Sequence, residues 1–448
     1  MSFRLVVLLY NLLLPGVFLL TAPFYLSKMA RRGKARRHFG QRLGRYRDSI
    51  EPWLERQQGD PLWIHAVSVG EVLLALKLVK KLHEQNPQLP IALSCTTSTG
   101  FDVALSKYDS PHFHVLYRPI DFPIPVRGAF QALRPKALVL VESEIWPNTL
   151  SEAKRREVPV FLVNARLSPR SEKRFRKARA LSRPLFEQLH QVQTQTEEDI
   201  ERWANLGVPS DRLLHTGSIK FDQEALAPPE EQITAFRQIL SKLRPPGDDG
   251  PILLAGSTHP GEEKLLAQAF ETIREKIPRA FLILVPRHFE RAQEVVAAVQ
   301  SETTLHPLRK TEFSASTEIR EPAPETCLLV DTTGELHAWY FLADLVFVGK
   351  TFLSEEGQNP VEPLLAGKPI VTGPKMKNFE PLFRRLKEAG GVLSITDSSD
   401  PEAIAQATAN FLESPKKQEA LVTNGAAVVK SDQGAARRSA QALWEEIR

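Results

Sequence analysis

Short apolar runs alternate with helical patterns twice over along this chain, and no other feature restricts its fold as much. The first set is Leu62–Val67, Pro90–Cys95, Phe113–Tyr117, Ala137–Val141, Val160–Val163 and Val192–Gln195. A break follows at Ala225–Gly250, where Pro228, Pro229, Pro245, Pro246, Gly247 and Gly250 surround one short helical pattern. The second set is Ile252–Ala255, Phe281–Val285, Cys327–Val330, Leu345–Val348, Pro369–Thr372 and Val392–Ile395. Unbroken apolar runs between helices suit strands covered on both faces, so the expectation is α/β with two parallel sheets. Ligands of such sheets sit beyond the carboxyl ends of the strands. Two units facing each other would make a cleft there.

The N-terminus points to a membrane. Leu5 to Leu26 carries no charge, and as a helix it would be long enough to cross a hydrocarbon core of about 30 Å. Asn11, Pro15 and Pro23 weaken a clean span, so a bent or half-inserted helix stays open. Nine cations and no acid follow: Lys28, Arg31, Arg32, Lys34, Arg36, Arg37, Arg42, Arg45 and Arg47. A basic flank after the apolar run argues against a cleaved leader and for a cytoplasmic bulk beside anionic lipid. A second basic stretch, Arg166 to Arg183, holds Arg170, Lys173, Arg174, Arg176, Lys177 and Arg179 against Glu172 alone. It reads as a solvated face or as a dock for a phosphate-bearing or membrane-embedded substrate. The net charge of +5 is thus local, because acids outnumber bases elsewhere. A protein that coats nucleic acid is disfavoured.

Several absences narrow the chemistry. There is no G-x-G-x-x-G and no phosphate-loop signature, and no D-x-D for a metal-bound nucleotide sugar. Two cysteines, Cys95 and Cys327, exclude a disulfide framework or a cysteine zinc site. His112 and His114 read as a loop pair rather than a metal site, so neither metal nor cofactor is expected.

Chemistry-bearing residues cluster at the predicted strand ends. Trp63 to Glu71 (W-I-H-A-V-S-V-G-E) reads as strand, turn and helix start. Ser68 and Glu71 match a capping box. Spacing alone favours that cap over a general base at the strand end as the role of Glu71. Glu142 and Glu144 leave the strand Ala137–Val141, and extended geometry would put both on one face. A cleft position or a solvated strand end explains them equally well. Lys220 lies in Gly217-Ser218-Ile219-Lys220-Phe221-Asp222, just before the break. In the second unit, Gly256 to Glu263, Val285 to His288, Asp331 to Leu336 and Gly357 to Pro363 are loops after strands, several of them opening helices. Such loops present backbone N–H groups to anions, and four in one unit favour a nucleotide or nucleotide-sugar site.

Taken in order, W-I-H-A-V-S-V-G-E, V-E-S-E-I-W-P-N, N-A-R-L-S, G-S-I-K-F-D, G-S-T-H-P-G-E-E, V-P-R-H and D-T-T-G-E-L resemble the 3-deoxy-D-manno-octulosonic acid (Kdo) transferases. The likeness runs from the apolar N-terminus to about residue 380. It implies a GT-B glycosyltransferase fold, with two Rossmann-like domains facing across a cleft and an N-terminal membrane-anchoring helix. The corresponding boundaries are an anchor over 1–27, an acceptor-binding domain over 28–224, a linker over 225–250 and a donor-binding domain over 251–448. It implies inverting transfer of Kdo from CMP-Kdo to a lipid A precursor, at the cytoplasmic face of the cell inner membrane. Glu71 corresponds to the general base, and Glu142 and Lys220 to residues supporting the transition state. CMP would be held by Pro286, Arg287, Thr333, Gly334, Glu335, Asn359, Pro360, Val361 and Glu362. The partners implied are CMP-Kdo, a lipid A precursor and an anionic membrane surface, with no nucleic acid. Departures occur where the family often has G-G-S and G-G-H-N-P. Here Gly349-Lys350-Thr351 adds a charge, Gln358 replaces an imidazole, and Thr333 stands for a methionine. The competing readings are a GT-B lipid glycosyltransferase using a UDP-sugar and a membrane-bound scaffold that lost activity.

Overall fold

The structure, a computed structural model, is described over residues 1–31, 38–222, 227–244, 247, 249–313, 323 and 325–448, with backbone alone at 22–31 and 169. It divides into two compact units: Met1–Asp222 together with Asp432–Arg448, and Gln223–Ser431.

The first unit is built on a seven-stranded parallel sheet. Its strands are β1 (Leu62–Ala66), β2 (Ile91–Cys95), β3 (Phe113–Tyr117), β4 (Ala137–Val141), β5 (Val160–Ala165), β6 (Gln191–Thr194) and β7 (Leu213–His215), in the order β3-β2-β1-β4-β5-β6-β7. The second unit repeats the plan with β8 (Ile252–Thr258), β9 (Phe281–Pro286), β10 (His306–Arg309), β11 (Thr326–Leu329), β12 (Leu345–Val348), β13 (Ile370–Thr372) and β14 (Leu393–Ser394), in the order β10-β11-β9-β8-β12-β13-β14. Strands β1, β2 and β4 are buried at every position. Both of their faces are covered by helices, which explains their unbroken apolar runs. In each sheet the strand order reverses beside the first strand, between β1 and β4 and between β8 and β12. Such a reversal opens a crevice at the carboxyl ends.

Two strands carry no apolar run. β7 is a three-residue edge strand with two exposed side chains. β10 is an edge strand containing Pro307, and its first residue, His306, is exposed. Edge strands need neither double-sided burial nor a full set of donors. The domain boundaries also differ from expectation. Residues 225–250, expected as a linker, contain the helix Glu230–Leu243, which belongs to the second unit. Its Phe236 stacks on Trp339 with ring centroids 4.1 Å apart. Residues 435–447, expected in the second domain, form a helix of the first unit. Ala435, Ala436, Ala440 and Leu443 bury against the core that contains the helix Val69–Gln85.

The N-terminal helix runs from Phe3 to Arg31 without a break at Pro15 or Pro23. Its segment Phe3–Thr21 is apolar and long enough to cross a membrane by length and composition. It also touches the helices Pro147–Arg155 and Arg179–Phe186 of the first unit. Val6 is buried there, and Phe18 meets Phe122 edge-on at 5.4 Å. Leu12, Leu13, Leu19 and Leu20 are instead 68–84% exposed. Of the nine cations in 28–47, Arg32, Lys34, Arg36, Arg37 and the side chains of Lys28 and Arg31 lie outside the described residues. Arg42 does not belong to a lipid-facing patch. It is buried, donates to Thr96 O at 2.7 Å and lies 4.3 Å from the Tyr117 ring centre.

Candidate active site

Glu71 sits where β1 hands over to the helix Val69–Gln85, and the capping box is formed. Ser68 Oγ accepts from Glu71 N at 3.2 Å. The Glu71 carboxylate accepts from Val67 N at 2.8 Å, Ser68 N at 3.4 Å and Ser68 Oγ at 2.9 Å. These bonds fix one side chain in one place, 9% exposed. Capping does not compete with a chemical role here, since the cap is what orients the carboxylate.

Across the strand-order reversal, Glu142 ends β4. Its φ is +65°, a left-handed conformation that costs a non-glycine residue about 1–2 kcal/mol. The chain therefore turns after β4, and Glu142 and Glu144 do not share a face as residues two apart in a strand would. Glu142 N donates to Val163 O at 2.9 Å. Its carboxyl is held above its ordinary value, first by burial and then by the charge of Glu71; Arg166 and Lys220 pull it back. Glu144 accepts from Trp146 Nε1 at 2.9 Å. It too is raised, by burial first, with Glu71 adding to the rise and Arg118 opposing it. Lys220 is pushed below its ordinary value by burial and by Arg166, against the pull of Glu142. Its side chain reaches solvent all the same. Three acids and three cations thus feel one another at the carboxyl edge of this sheet.

The turn bearing Lys220 is fixed from three sides. Asn164, also left-handed at φ +53°, accepts from Ile219 N at 2.9 Å through Oδ1. Lys77 Nζ donates to Ile219 O at 3.1 Å and to Asp222 O at 2.6 Å. Asp222 in turn accepts from Gly434 N and Ala436 N at the start of the returning helix. The sequence pattern marks Arg166 only as part of the basic stretch and does not mark Arg118. Both stand just past a strand end, β5 and β3 respectively, which is the signal that singles them out.

In the second unit, the loops after β8, β9 and β12 meet. The rings of His259 and His288 are 6.1 Å apart, and Gln358 Nε2 lies 2.9 Å from His259 Nε2. Gly349 allows the join, because a Cβ there would lie 2.2 Å from Ser257 O. The helix start at Glu262 is not a vacant anion site. Its carboxylate accepts from His259 N, Lys350 N, Thr351 N and Phe352 N at 2.7–3.0 Å. Lys350 pairs with Glu356. Pro286 is buried and Arg287 exposed. Lys310 Nζ donates to Glu335 at 2.8 Å, and Thr332 Oγ1 also donates to Glu335. Gly334, at φ +80° with open space beside it, follows Thr333. Asn359 binds Val361 N and Glu362 at 3.0 Å each, with Pro360 between. The nine residues expected to hold CMP thus lie in three separate segments of this unit: the end of β9, the Thr333–Glu335 turn, and Asn359–Glu362 at the start of the helix Val361–Leu365. No group of three or more metal-ligating side chains occurs among the described residues. His112 and His114 are not a loop pair, for His114 lies in β3 and stacks on Trp53, while His112 bonds Gln57.

The family described as 3-Deoxy-D-manno-octulosonic-acid transferase (kdotransferase) matches residues 37–223. The chain is 32% identical to the 3-deoxy-D-manno-octulosonic acid transferase of Haemophilus influenzae, covering 90% of each. It is 27% identical to that of Chlamydophila psittaci, covering 98% of this chain and 95% of the other. Among solved structures, the UDP-GlcNAc 2-epimerase of Neisseria meningitidis is similar at a TM-score of 0.55, with 13% identity over 86% of this chain and all of that one. That last likeness is one of fold, the GT-B fold, whose two α/β units each carry a parallel sheet here.

Proposed function

The chain belongs to the 3-deoxy-D-manno-octulosonic acid (Kdo) transferase family, as a glycosyltransferase of lipopolysaccharide biosynthesis, and we propose that it transfers Kdo from CMP-Kdo to a lipid A precursor with inversion. The first unit binds the acceptor and the second binds CMP. One observation carries the assignment of chemistry to the first unit: Glu71 and Glu142 follow the two strands that flank the strand-order reversal, with Glu144, Lys220 and Arg166 near enough to shift or be shifted by their charge.

In this reading an acceptor hydroxyl attacks the anomeric carbon of Kdo. The new C–O bond forms as the bond to the CMP phosphate oxygen breaks, and the hydroxyl proton passes to Glu71. A base of this kind contributes about 10²–10⁴-fold. The transition state is oxocarbenium-like. Lys220 pairs with the Kdo carboxylate, and Glu142 holds Lys220 and Arg166 in place. CMP leaves as an anion, stabilised by Arg287 and by the backbone around Thr333–Glu335 and Asn359–Glu362.

Membrane attachment is part of the proposal. The exposed leucines of the N-terminal helix lie in lipid at the cytoplasmic face of the inner membrane, and the basic helix Pro169–Lys177 faces phosphates there. Support comes from the contact between the N-terminal helix and Arg179–Phe186, which follows that basic helix directly. The test is transfer by the purified full chain with CMP-Kdo and a lipid A precursor, with Kdo units counted by mass spectrometry. A Glu71→Gln variant with near-full transfer would remove Glu71 as the base.

A further inference from the structure

A partly buried polar chain joins the N-terminal helix to the Glu142–Trp146 segment, and the proposed transfer makes no use of it. Asn11 and Asn148 exchange two side-chain hydrogen bonds, each 2.8 Å. Asn148, 4% exposed, also donates from Nδ2 to Asp121 O at 2.5 Å. The Asp121 carboxylate accepts from Asn148 N at 3.0 Å, Thr149 N at 2.9 Å and Thr149 Oγ1 at 2.7 Å. It thereby caps the helix Pro147–Arg155 from another segment, taking the N–H groups that a local cap would take. Arg118 lies 3.9 Å from Asp121 and donates to Thr149 Oγ1 at 3.4 Å. Its guanidinium lies 4.3 Å from the Trp146 ring centre. Trp146 then holds Glu144.

Two features need a reason. A helix that served only as an anchor would be better with leucine at position 11, because an amide among apolar side chains is unfavourable unless paired. Glu142, in turn, holds a left-handed backbone that persists only where its surroundings over-determine it. The helix cap begins five residues after Glu142, and the polar chain ends on that cap and on Trp146.

We infer that Asn148 is a positioning residue, and that seating of the N-terminal helix through Asn11 holds the Glu142–Trp146 segment in its working geometry. Attachment of the helix and turnover are then coupled. The inference rests on the catalytic reading of Glu142 given above.

The test uses the full chain bearing Asn11→Leu, which keeps the helix apolar, and Asn11→Ala, which adds no bulk. Both are assayed with CMP-Kdo and a lipid A precursor in detergent micelles, where attachment to a bilayer is not required. The expected result is a fall in kcat of about 3- to 30-fold. The KM for CMP-Kdo and flotation with anionic vesicles stay unchanged, the melting midpoint falls only as far as the loss of one buried amide pair requires, and Asn11→Gln regains part of the loss in kcat. Wild-type kcat in either variant overturns the inference. So does a loss that appears only with vesicles and vanishes in micelles, or one that disappears when both variants are assayed well below their melting midpoints. Glu142→Gln, run alongside, separates two failures. Wild-type turnover there removes the catalytic reading of the segment. Low turnover there with normal Asn11 variants removes only the coupling.

Discussion

Glu71 and Glu262 occupy corresponding places in the two units. Each stands in the first turn of the helix that follows the first strand of its sheet, beside the reversal of strand order. Their commitments differ. Glu262 is 1% exposed and stitches four backbone N–H groups together, three of them from the Lys350–Phe352 turn beyond β12. Glu71 binds only its own turn, and what stands beyond β4 is another acid, Glu142. Both neighbouring strand ends are left-handed, Lys350 at φ +61° and Glu142 at φ +65°. In the second unit the backbone N–H of that residue faces the acid. In the first unit it goes to Val163 instead, and the side chain's charge is left to oppose Glu71. Like charges gathered in a half-buried place are unfavourable for folding, so their presence points to chemistry rather than to architecture.

The largest expected effect divides the pair. Glu71→Gln should lower kcat by about 10²–10⁴-fold while losing only about 1 kcal/mol of stability from the weakened cap. Glu262→Gln should do the reverse. It leaves part of a buried set of N–H groups without an acceptor and lowers unfolding free energy by about 3 kcal/mol, with kcat of the folded enzyme near normal. Urea unfolding and turnover on both variants decide it. Equal losses of stability would erase the contrast.

Lys220→Met ranks next. The turn that carries it is held by Asn164, Lys77 and Asp222, so removing the ammonium should leave the backbone in place. A fall in kcat of about 10²-fold is expected if the cation stabilises charge in the transition state. Because Lys220 pulls the Glu142 carboxyl down, the variant should also move the acid limb of the pH–rate profile to higher pH. A profile that stays in place would detach Lys220 from Glu142.

Much of this comparison was legible in the sequence, because its physical basis is local. Strands buried on both faces must be unbroken apolar runs, and a capping box is four consecutive residues. The edge strands β7 and β10 were not legible, since nothing forces an edge to be apolar. The return of Ala435–Ile447 to the first unit was hidden for another reason: its small buried face, Ala435, Ala436 and Ala440, would suit any helix partner. At the site, Glu71 and Glu142 stand out at strand ends, while Lys220 is marked only by the family resemblance of its G-S-I-K-F-D segment. The use of Glu262 as a backbone clamp joins residues about 90 positions apart, and the coupling of Glu71, Glu142 and Lys220 also joins residues far apart in the chain. One-dimensional spacing does not encode such contacts.

A smaller effect concerns stability rather than rate. The Glu142 carboxyl is raised in the folded chain by burial and by Glu71. A carboxyl raised on folding favours the folded state below its unfolded value, about 4.3, and that contribution is lost as pH rises through the folded value. At neutral pH the wild type therefore carries a destabilising charge that Glu142→Gln removes. The variant should melt higher than wild type at pH 7.5, and the gain should shrink as the pH is lowered towards 4. A gain independent of pH would mean that packing, and not charge, sets it.

The smallest effect tests the second unit's half of the comparison. Lys350 and Gln358 depart from the pattern usual in the family, yet the structure commits both side chains elsewhere, Lys350 to Glu356 and Gln358 to His259. Only the backbone N–H of Lys350 serves the clamp on Glu262, and glycine supplies that equally well. At φ +61°, glycine also relieves about 1 kcal/mol of backbone strain, against an ion pair worth about 0–1 kcal/mol. Lys350→Gly should accordingly leave the melting midpoint nearly unchanged and the KM for CMP-Kdo within about threefold, since an ion pair of that kind is all that is lost. A rise in KM of tenfold or more would place the Lys350 ammonium on the donor. The left-handed turn beyond β12 would then be a binding element, like the one beyond β4, and the division of labour between Glu71 and Glu262 would no longer extend to their neighbours.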